Sequence, residues 1–338
     1  MRFDNVSIMS VVAADATHRL TSTEIEQRLA PTMDRLGIPA GMLEGLTGIT
    51  ARRVFDPGFM PSEAATLAAR EAIAASGVDP GKLGILINTS VCRDYVEPST
   101  ACLVHGNLGL HSGCMNFDLS NACLGFLSGM EVVSNMIERG QIDYGIVVDG
   151  ENSRFIIDTT IERLNRMDTT EQDYRDAFAT FTLGSGGVAM VLARRDLAPD
   201  AAQFKGGVGV AATEHSRLCH GQVDRMYTET KALLVAGIAL AKQTLAEAKQ
   251  VLGWDLGTFD ELILHQVSKV HTDKLAQALE LDPDKIHAIF PEYGNVGPAA
   301  VPMVLAHVTK SGRVTKGDRV ALMGIGSGLN CAMHELVW

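Results

Sequence analysis

Asp118-Leu119-Ser120-Asn121-Ala122-Cys123-Leu124-Gly125-Phe126-Leu127-Ser128-Gly129-Met130 is the stretch around which the chain can be read. Before it, Met115 to Leu119 reads as a short apolar strand. After it, Phe126, Met130, Val133 and Ile137 recur at helical spacing until Gly140 supplies a stop. Cys123 is therefore expected at or near a helix N-terminus, where unpaired N–H groups and the positive end of the helix dipole favour thiolate over thiol. The same placement leaves the Cys123 amide free to hold a developing oxyanion. Gly125, Ser128 and Gly129 would let the helix approach another backbone closely. A buried structural cysteine would also suit such a stretch, so the rest of the chain has to decide.

A chain of 338 residues can bury a large core and suggests two domains or one doubled one. No apolar run approaches the ~20 residues of a membrane span, and Met1 to Ser10 lacks a basic-then-apolar leader pattern, which points to a cytoplasmic protein. The six cysteines are scattered, without a Cys-x-x-Cys pair or histidines at ligand spacing, so neither a disulfide framework nor a metal site is expected. A formal charge of −11 without a Lys/Arg-rich segment argues against nucleic acid as a partner. An anionic ligand would need a local patch, and the only basic doublets, Arg52-Arg53 and Arg194-Arg195, also read as solvated surface.

Along the chain, a strand is expected over Val6 to Ala13, a helix from about Thr23 to Leu36, and an Ala-rich helix over Met60 to Ser76 with Ser62 as its cap. Lys82 to Thr89 and Asp143 to Asp149 read as strands buried on both faces. Between them lie a polar interlude with Arg93, Asp94, Glu97 and Pro98, a short helix over Ala101 to Leu108, and the cysteine stretch. Residues 151–180 are charged and irregular and read as an insertion over the core; Phe181 to Leu192 and Phe204 to Ala212 resume strand character. A long helix is expected over Met226 to Leu252.

From Phe259 the opening pattern returns: a strand at Leu262 to Leu264, a helix over Val270 to Leu279, a strand at His287 to Phe290, a helix through Val308, and strands at Arg319 to Met323 and Cys331 to Trp338. Leu86, Phe117 and Val147 are separated by 31 and 30 residues, and Leu264, Phe290 and Leu322 by 26 and 32. This spacing predicts an internal duplication, with halves at 1–200 and 201–338. Two such halves imply a layered α/β/α/β/α body with the central helices back to back. In the second half, His265 follows a buried strand, at the end where open α/β sheets place ligands, and Asn295 stands at the counterpart of the cysteine. A nucleophile, an imidazole and a carboxamide at matching positions form a candidate catalytic set.

Asn121-Ala122-Cys123-Leu124-Gly125, His265-Gln266-Val267-Ser268, Gly294-Asn295-Val296-Gly297-Pro298-Ala299 and Gly324-Ile325-Gly326-Ser327-Gly328 resemble the thiolase superfamily in its ketoacyl-ACP synthase III branch, over essentially the whole chain. The resemblance implies a Cys-His-Asn condensing enzyme in which Cys123 takes an acyl group from a thioester while His265 and Asn295 hold the enolate oxygen of a second one. It also implies that the backbone amides of Cys123 and Ser327 hold the acyl carbonyl. Ser327 departs from the commoner all-glycine run, which a backbone donor tolerates. The segment Arg93-Asp94-Tyr95-Val96-Glu97-Pro98-Ser99-Thr100-Ala101 is similar to that of the head-to-head condensing enzymes of olefin biosynthesis (OleA type), acyl-CoA:acyl-CoA alkyltransferases. Their glutamate, here Glu97, reaches across a homodimer interface. Joining two plain fatty acyl-CoAs requires a base for the α-proton, whereas a decarboxylating synthase makes its carbanion by losing carbon dioxide. The implied partners are fatty acyl-CoA, a second copy of the chain and downstream pathway enzymes, with no cofactor beyond the coenzyme A thioesters. The 14 methionines suit adaptable channel lining and equally suit core filling. The rival enzyme is a synthase using acyl-CoA and malonyl-ACP; the rival of another class is a non-catalytic acyl-binding subunit. Cys331 reads as buried strand filler.

Overall fold

Leu83–Asn88 and Tyr144–Glu151, the two runs expected to be buried on both faces, are parallel neighbours at the middle of one half of the molecule. The computed structural model describes all residues from Met1 to Trp338. Nine strands join in the order 261–264, 319–326, 330–337, 202–211, 6–15, 186–194, 144–151, 83–88 and 115–118. The link between 202–211 and 6–15 is slight, Ser7 facing Gln203 and Ile8 facing Ala202. The strands therefore divide into a set of five and a set of four, each mixing parallel and antiparallel pairs.

Alternation of side chains along each strand assigns its two faces to different layers. In the first set Leu86, Ile146, Val148, Ala189 and Val191 face outward onto helices Pro61–Ser76 and Thr100–Leu108. Ile85, Ile87, Val147, Val188 and Met190 face inward. They meet Phe126, Met130 and Val133 of the Gly125–Glu138 helix and Val301, Val304 and Val308 of the Ala300–Lys310 helix. The second set presents Ile263, Val320 and Leu322 to the same central helices. Its other face packs Leu262, Leu264, Ala321 and Met323 against helices Thr230–Leu252 and Lys269–Leu279. The result is the expected α/β/α/β/α stack, closed by residues whose full burial is worth ~1.5–3 kcal/mol each. The outer helix Pro61–Ser76 lies so close that a Cβ on Gly150 would stand 2.0 Å from the Pro61 carbonyl oxygen.

Several local expectations are corrected. The first long helix runs from Ser22 to Leu36 and is capped by Thr21 rather than Thr23, because Thr21 Oγ1 accepts from the Glu24 N–H while the Glu24 carboxylate accepts from the Thr21 N–H. Ser62 does not cap its helix; Pro61 is the first residue, and Ser62 donates its N–H and hydroxyl to Asp94. The expected Met226–Leu252 helix starts at Thr230, since Met226–Thr228 pairs as a strand with Cys219–Gly221. Residues 151–180 are largely helical: Arg154–Leu164 and Glu171–Ala177 pack Ile157, Ile161, Leu164 and Tyr174 onto Ile25, Leu29 and Met33 in a separate small core. No strand forms at His287–Phe290. Gln266 occupies that backbone instead, donating Nε2–H to the His287 carbonyl at 2.6 Å and accepting from the Ile289 and Phe290 N–H groups at 2.9 and 3.1 Å. A single side chain thus does there what a neighbouring strand does in the first half.

Candidate active site

The Met115–Asp118 strand ends in a turn rather than running straight into its helix. Ala122 takes a left-handed φ of 46°, Ala122–Leu124 form a 3₁₀ turn, and the α-helix begins at Gly125. A non-glycine residue in that region carries a cost of order 1–3 kcal/mol that surrounding contacts must hold in place. Those contacts come from both halves. Cβ atoms placed on Gly125 would meet the Thr89 carbonyl oxygen at 2.7 Å and the Pro298 Cβ at 3.6 Å, so the cysteine turn sits against the turn that follows Asn295. A Cβ on Gly326 would stand 3.0 Å from the Asn121 oxygen and 3.3 Å from the Cys123 nitrogen. The Gly326-Ser327-Gly328 loop therefore passes directly over the cysteine backbone, and any side chain at Gly326 would collide with it.

His265 and Asn295 are fixed by backbone hydrogen bonds before their side chains are considered. The His265 N–H donates to the Met323 carbonyl at 2.9 Å, continuing the parallel pairing of Glu261–Leu264 with the Arg319–Gly326 strand that carries the glycine loop. Asn295 donates its N–H to the Thr182 carbonyl at 2.7 Å and accepts the Gly184 N–H at 2.8 Å. Its Oδ1 accepts the Gly297 N–H at 3.0 Å, which orients the carboxamide and leaves Nδ2 as the donor for another group. His265 is 3% exposed with no partner for Nδ1. Burial, and then the neighbouring His271, pull its pKa down to about 3, so the ring is neutral at physiological pH and offers a ring N–H without carrying charge.

The thiol behaves differently from the sequence expectation. Burial pushes Cys123 up to about 12, and the nearby Cys219, Glu151 and Asp149 push in the same direction. A helix N-terminus is worth ~0.3–1 kcal/mol, less than one pKa unit, whereas a rise from 9.0 to about 12 corresponds to ~4 kcal/mol. Desolvation wins, and the resting group is a thiol whose proton must leave as the sulfur attacks.

Glu97 is exposed, whereas Cys123 is half-buried. The segment bearing it is pinned at its base: Glu151 accepts the Val91 and Cys92 N–H groups at 2.6 and 3.2 Å, Arg93 pairs with Asp118, and Asp94 holds Ser62. Beyond those anchors the chain projects outward, with Val96 100% exposed and Tyr95 and Glu97 exposed beside it. Ser327 lies in the turn between Arg319–Gly326 and Asn330–Val337. Cys331 is buried in the second of these strands, as expected.

Neither basic doublet forms an anion patch. Arg52 is fully buried, donating to Ser22 Oγ and to the Leu20 and Phe181 carbonyls, while Arg194 pairs with Asp143 and Asp196. Elsewhere a cavity of about 260 Å³ gathers His18, Arg19, Arg28 and Arg154, each facing a carboxylate: His18 meets Asp56, Arg19 meets Glu292, and Arg28 and Arg154 share Asp158. Those residues are too far apart in the chain to read as a motif. Gln266 and Glu151 were missed for the same reason, although Gln266 sits inside the quoted His265-Gln266-Val267-Ser268 run.

Family models for 3-oxoacyl-[acyl-carrier-protein] synthase III match residues 117–205, and for its C-terminal part residues 250–338. Over 338 residues the chain is 52% identical to the acyl-CoA:acyl-CoA alkyltransferase of Xanthomonas campestris pv. campestris, covering 100% of both proteins. It is 37% identical over 350 residues to the enzyme of the same name from Shewanella oneidensis, again covering 100% of both. Among solved structures, cerulenin-bound Xanthomonas OleA superposes with a TM-score of 0.98 at 51% identity, covering 100% of this chain and 98% of that one. A cysteine-to-serine variant of that protein holding lauric acid and lauroyl-CoA superposes with a TM-score of 0.97 at 51% identity, covering 99% of this chain and 100% of that one. Solved variants of the Xanthomonas protein alter a glutamate, a cysteine and a histidine in that order, separated by 26 and 142 residues, the separations of Glu97, Cys123 and His265 here. On its full-length identity, its fold and the architecture of its cysteine site, this chain belongs to the OleA family of acyl-CoA:acyl-CoA alkyltransferases, in the synthase III branch of the thiolase fold.

Proposed function

We propose that the protein joins two fatty acyl-CoAs head to head by a non-decarboxylative Claisen condensation, the first step of long-chain olefin biosynthesis. Cys123 attacks the carbonyl of the first acyl-CoA; its proton passes to the departing coenzyme A thiolate, leaving an acyl-enzyme and free coenzyme A. The backbone N–H groups of Cys123 and Ser327 receive the carbonyl oxygen during that attack. The second acyl-CoA binds with its thioester oxygen toward the neutral His265 ring and the free Nδ2 of Asn295, so the enolate formed next meets donors already in place. Glu97 of the partner subunit takes the α-proton. The carbanion attacks the acyl-enzyme, the Cys123 thiolate leaves, and hydrolysis of the resulting 2-alkyl-3-oxoacyl-CoA releases the β-keto acid and coenzyme A.

The observation that most directly supports these assignments is the shared spacing of glutamate, cysteine and histidine with the residues varied in the Xanthomonas relative. The homodimer reading rests on a different feature. Met115–Asp118 is the last strand of the sheet, its outer backbone unpaired, and Met115 and Phe117 beside it are exposed together with Val91, Tyr95 and Val96. An edge strand bordered by an apolar patch is suited to pairing with a second copy, and that copy would receive the projecting Glu97. A coenzyme A phosphate entering the Arg19, Arg28 and Arg154 cavity would exchange the ion pairs those residues make with Glu292 and Asp158 for its own.

Mass spectrometry after mixing with myristoyl-CoA alone tests the reading. The expected result is one myristoyl group on Cys123 together with the self-condensed β-keto acid; Cys123→Ser should give no thioester, and Glu97→Ala should accumulate acyl-enzyme without product. Product formation only when malonyl-ACP is added, with release of carbon dioxide, would assign the decarboxylating reaction instead.

A further inference from the structure

Asp149 and Glu151 occupy alternate positions of one strand, so both carboxyls point to the same face, and both are buried. The condensation described above uses neither. Asp149 has one local partner, the Thr89 hydroxyl at 2.6 Å. Glu151 touches two separate pieces of the site. Its two oxygens accept the N–H groups of Val91 and Cys92, the first residues of the segment that ends in Glu97. Its carboxyl lies within 4 Å of where a Cβ on Gly297 would stand, beside the Asn295 turn.

We propose that Glu151 is a positioning residue for the Glu97 arm: its carboxylate anchors the root of the arm through the Val91 and Cys92 amides, and so sets where Glu97 arrives in the partner subunit's site. The inference rests on the dimeric condensing-enzyme reading. Val91 and Cys92 donate to separate oxygens of Glu151, so a carboxamide, with a donor in place of one of them, has to turn to keep both bonds and shifts the root of the arm. Length alone is therefore not enough at this position. The titratable and charged groups acting with Glu151 are Asp149 on its own strand, Cys92 and Arg93 at the root of the arm and the Cys123 thiol; burial raises its pKa to about 7, so acidification below neutrality puts a proton on one of its two acceptor oxygens.

The arm acts in trans, which gives a test that a general structural role would not pass. Mixing Cys123→Ala chains with Glu97→Ala chains should restore condensation at about a quarter of the wild-type rate, because half of the randomly assorted dimers contain one complete site. Failure of that control would overturn the dimer reading itself. With the control in place, Glu151→Gln is added to one partner at a time. Combined with Cys123→Ala, on the chain that donates Glu97, it should slow condensation by about tenfold or more, the scale of a misplaced catalytic group. Combined with Glu97→Ala, on the chain that donates the cysteine, it should slow the rate clearly less than in the first mixture, because the arm that delivers Glu97 is then intact. A defect that follows the cysteine chain, or that is equal in both mixtures, overturns the proposal. Glu151→Asp in the same two mixtures, checked for an unchanged melting temperature, keeps the test decisive if the glutamine variant folds poorly.

Discussion

At the scale of single residues, the site is dominated by what burial does to charge. His265 and His271 are held neutral, with pKa values near 3 and 4, while Glu151 is raised to about 7 and Asp149 well above its ordinary value. These shifts act on stability in opposite directions. A depressed histidine binds protons more readily in the unfolded chain, so its stabilising contribution is lost as the pH falls below about 6.5. A raised carboxyl binds its proton more readily in the folded chain, so its contribution is present below about pH 4.5 and lost as the pH rises toward 7. Between those limits the two pairs offset each other and wild-type stability should vary little. Glu151→Gln removes one opposing carboxyl, so its unfolding free energy should rise relative to wild type by up to about 1.4 kcal/mol per pH unit between pH 4.5 and 7, then level off. Urea unfolding at several pH values reads this directly, and a pH-independent difference would show that Glu151 is not the titrating group.

At the scale of elements, the site is made by backbones that touch where side chains would not fit. The Gly326 loop lies over the cysteine turn with no room for a Cβ against the Asn121 oxygen and the Leu124 nitrogen, both at 3.0 Å and both main-chain atoms that cannot rotate away. Gly326→Ala should therefore push the loop off the cysteine and lower the rate of acyl-enzyme formation by about 10²-fold, the cost expected for displaced oxyanion donors. Stopped-flow release of coenzyme A measures that step separately from condensation. Gly150→Ala makes the contrasting case, since its Cβ would strike the Pro61 carbonyl at 2.0 Å far from the loop. That change should cost about 3 kcal/mol or more in unfolding free energy, as an overpacked contact between helix and sheet.

At the scale of the whole molecule, the first half ends in an unpaired strand edge with Met115 and Phe117 exposed on it, and Glu97 is exposed in the segment alongside. Both features would be relieved by the symmetric partner proposed above. Phe117→Asp places a charge on that edge without touching the core, so it should leave the circular dichroism spectrum intact while weakening self-association. Turnover of the variant should then depend steeply on protein concentration. Sedimentation and activity measured over the same dilution series test the two halves of this statement together. No helix is long and apolar enough to cross a membrane.

The sequence by itself determined the central strands and the helices between them and pointed to Cys123, His265 and Asn295 as one set, because hydrophobic period and turn residues are encoded within a few positions of where they act. It misread the charged stretch at 151–180, whose apolar positions Ile157, Ile161 and Leu164 carry a helical period diluted by Arg and Glu. It also expected a strand at His287–Phe290, where a distant glutamine side chain claims the backbone hydrogen bonds. Only the tertiary structure decided the protonation state of the nucleophile, the anchoring of the Glu97 arm by Glu151, and the gathering of Arg19, Arg28 and Arg154 around one cavity. Each of these depends on desolvation or on a close approach between segments far apart in the chain, and neither quantity is written in local sequence.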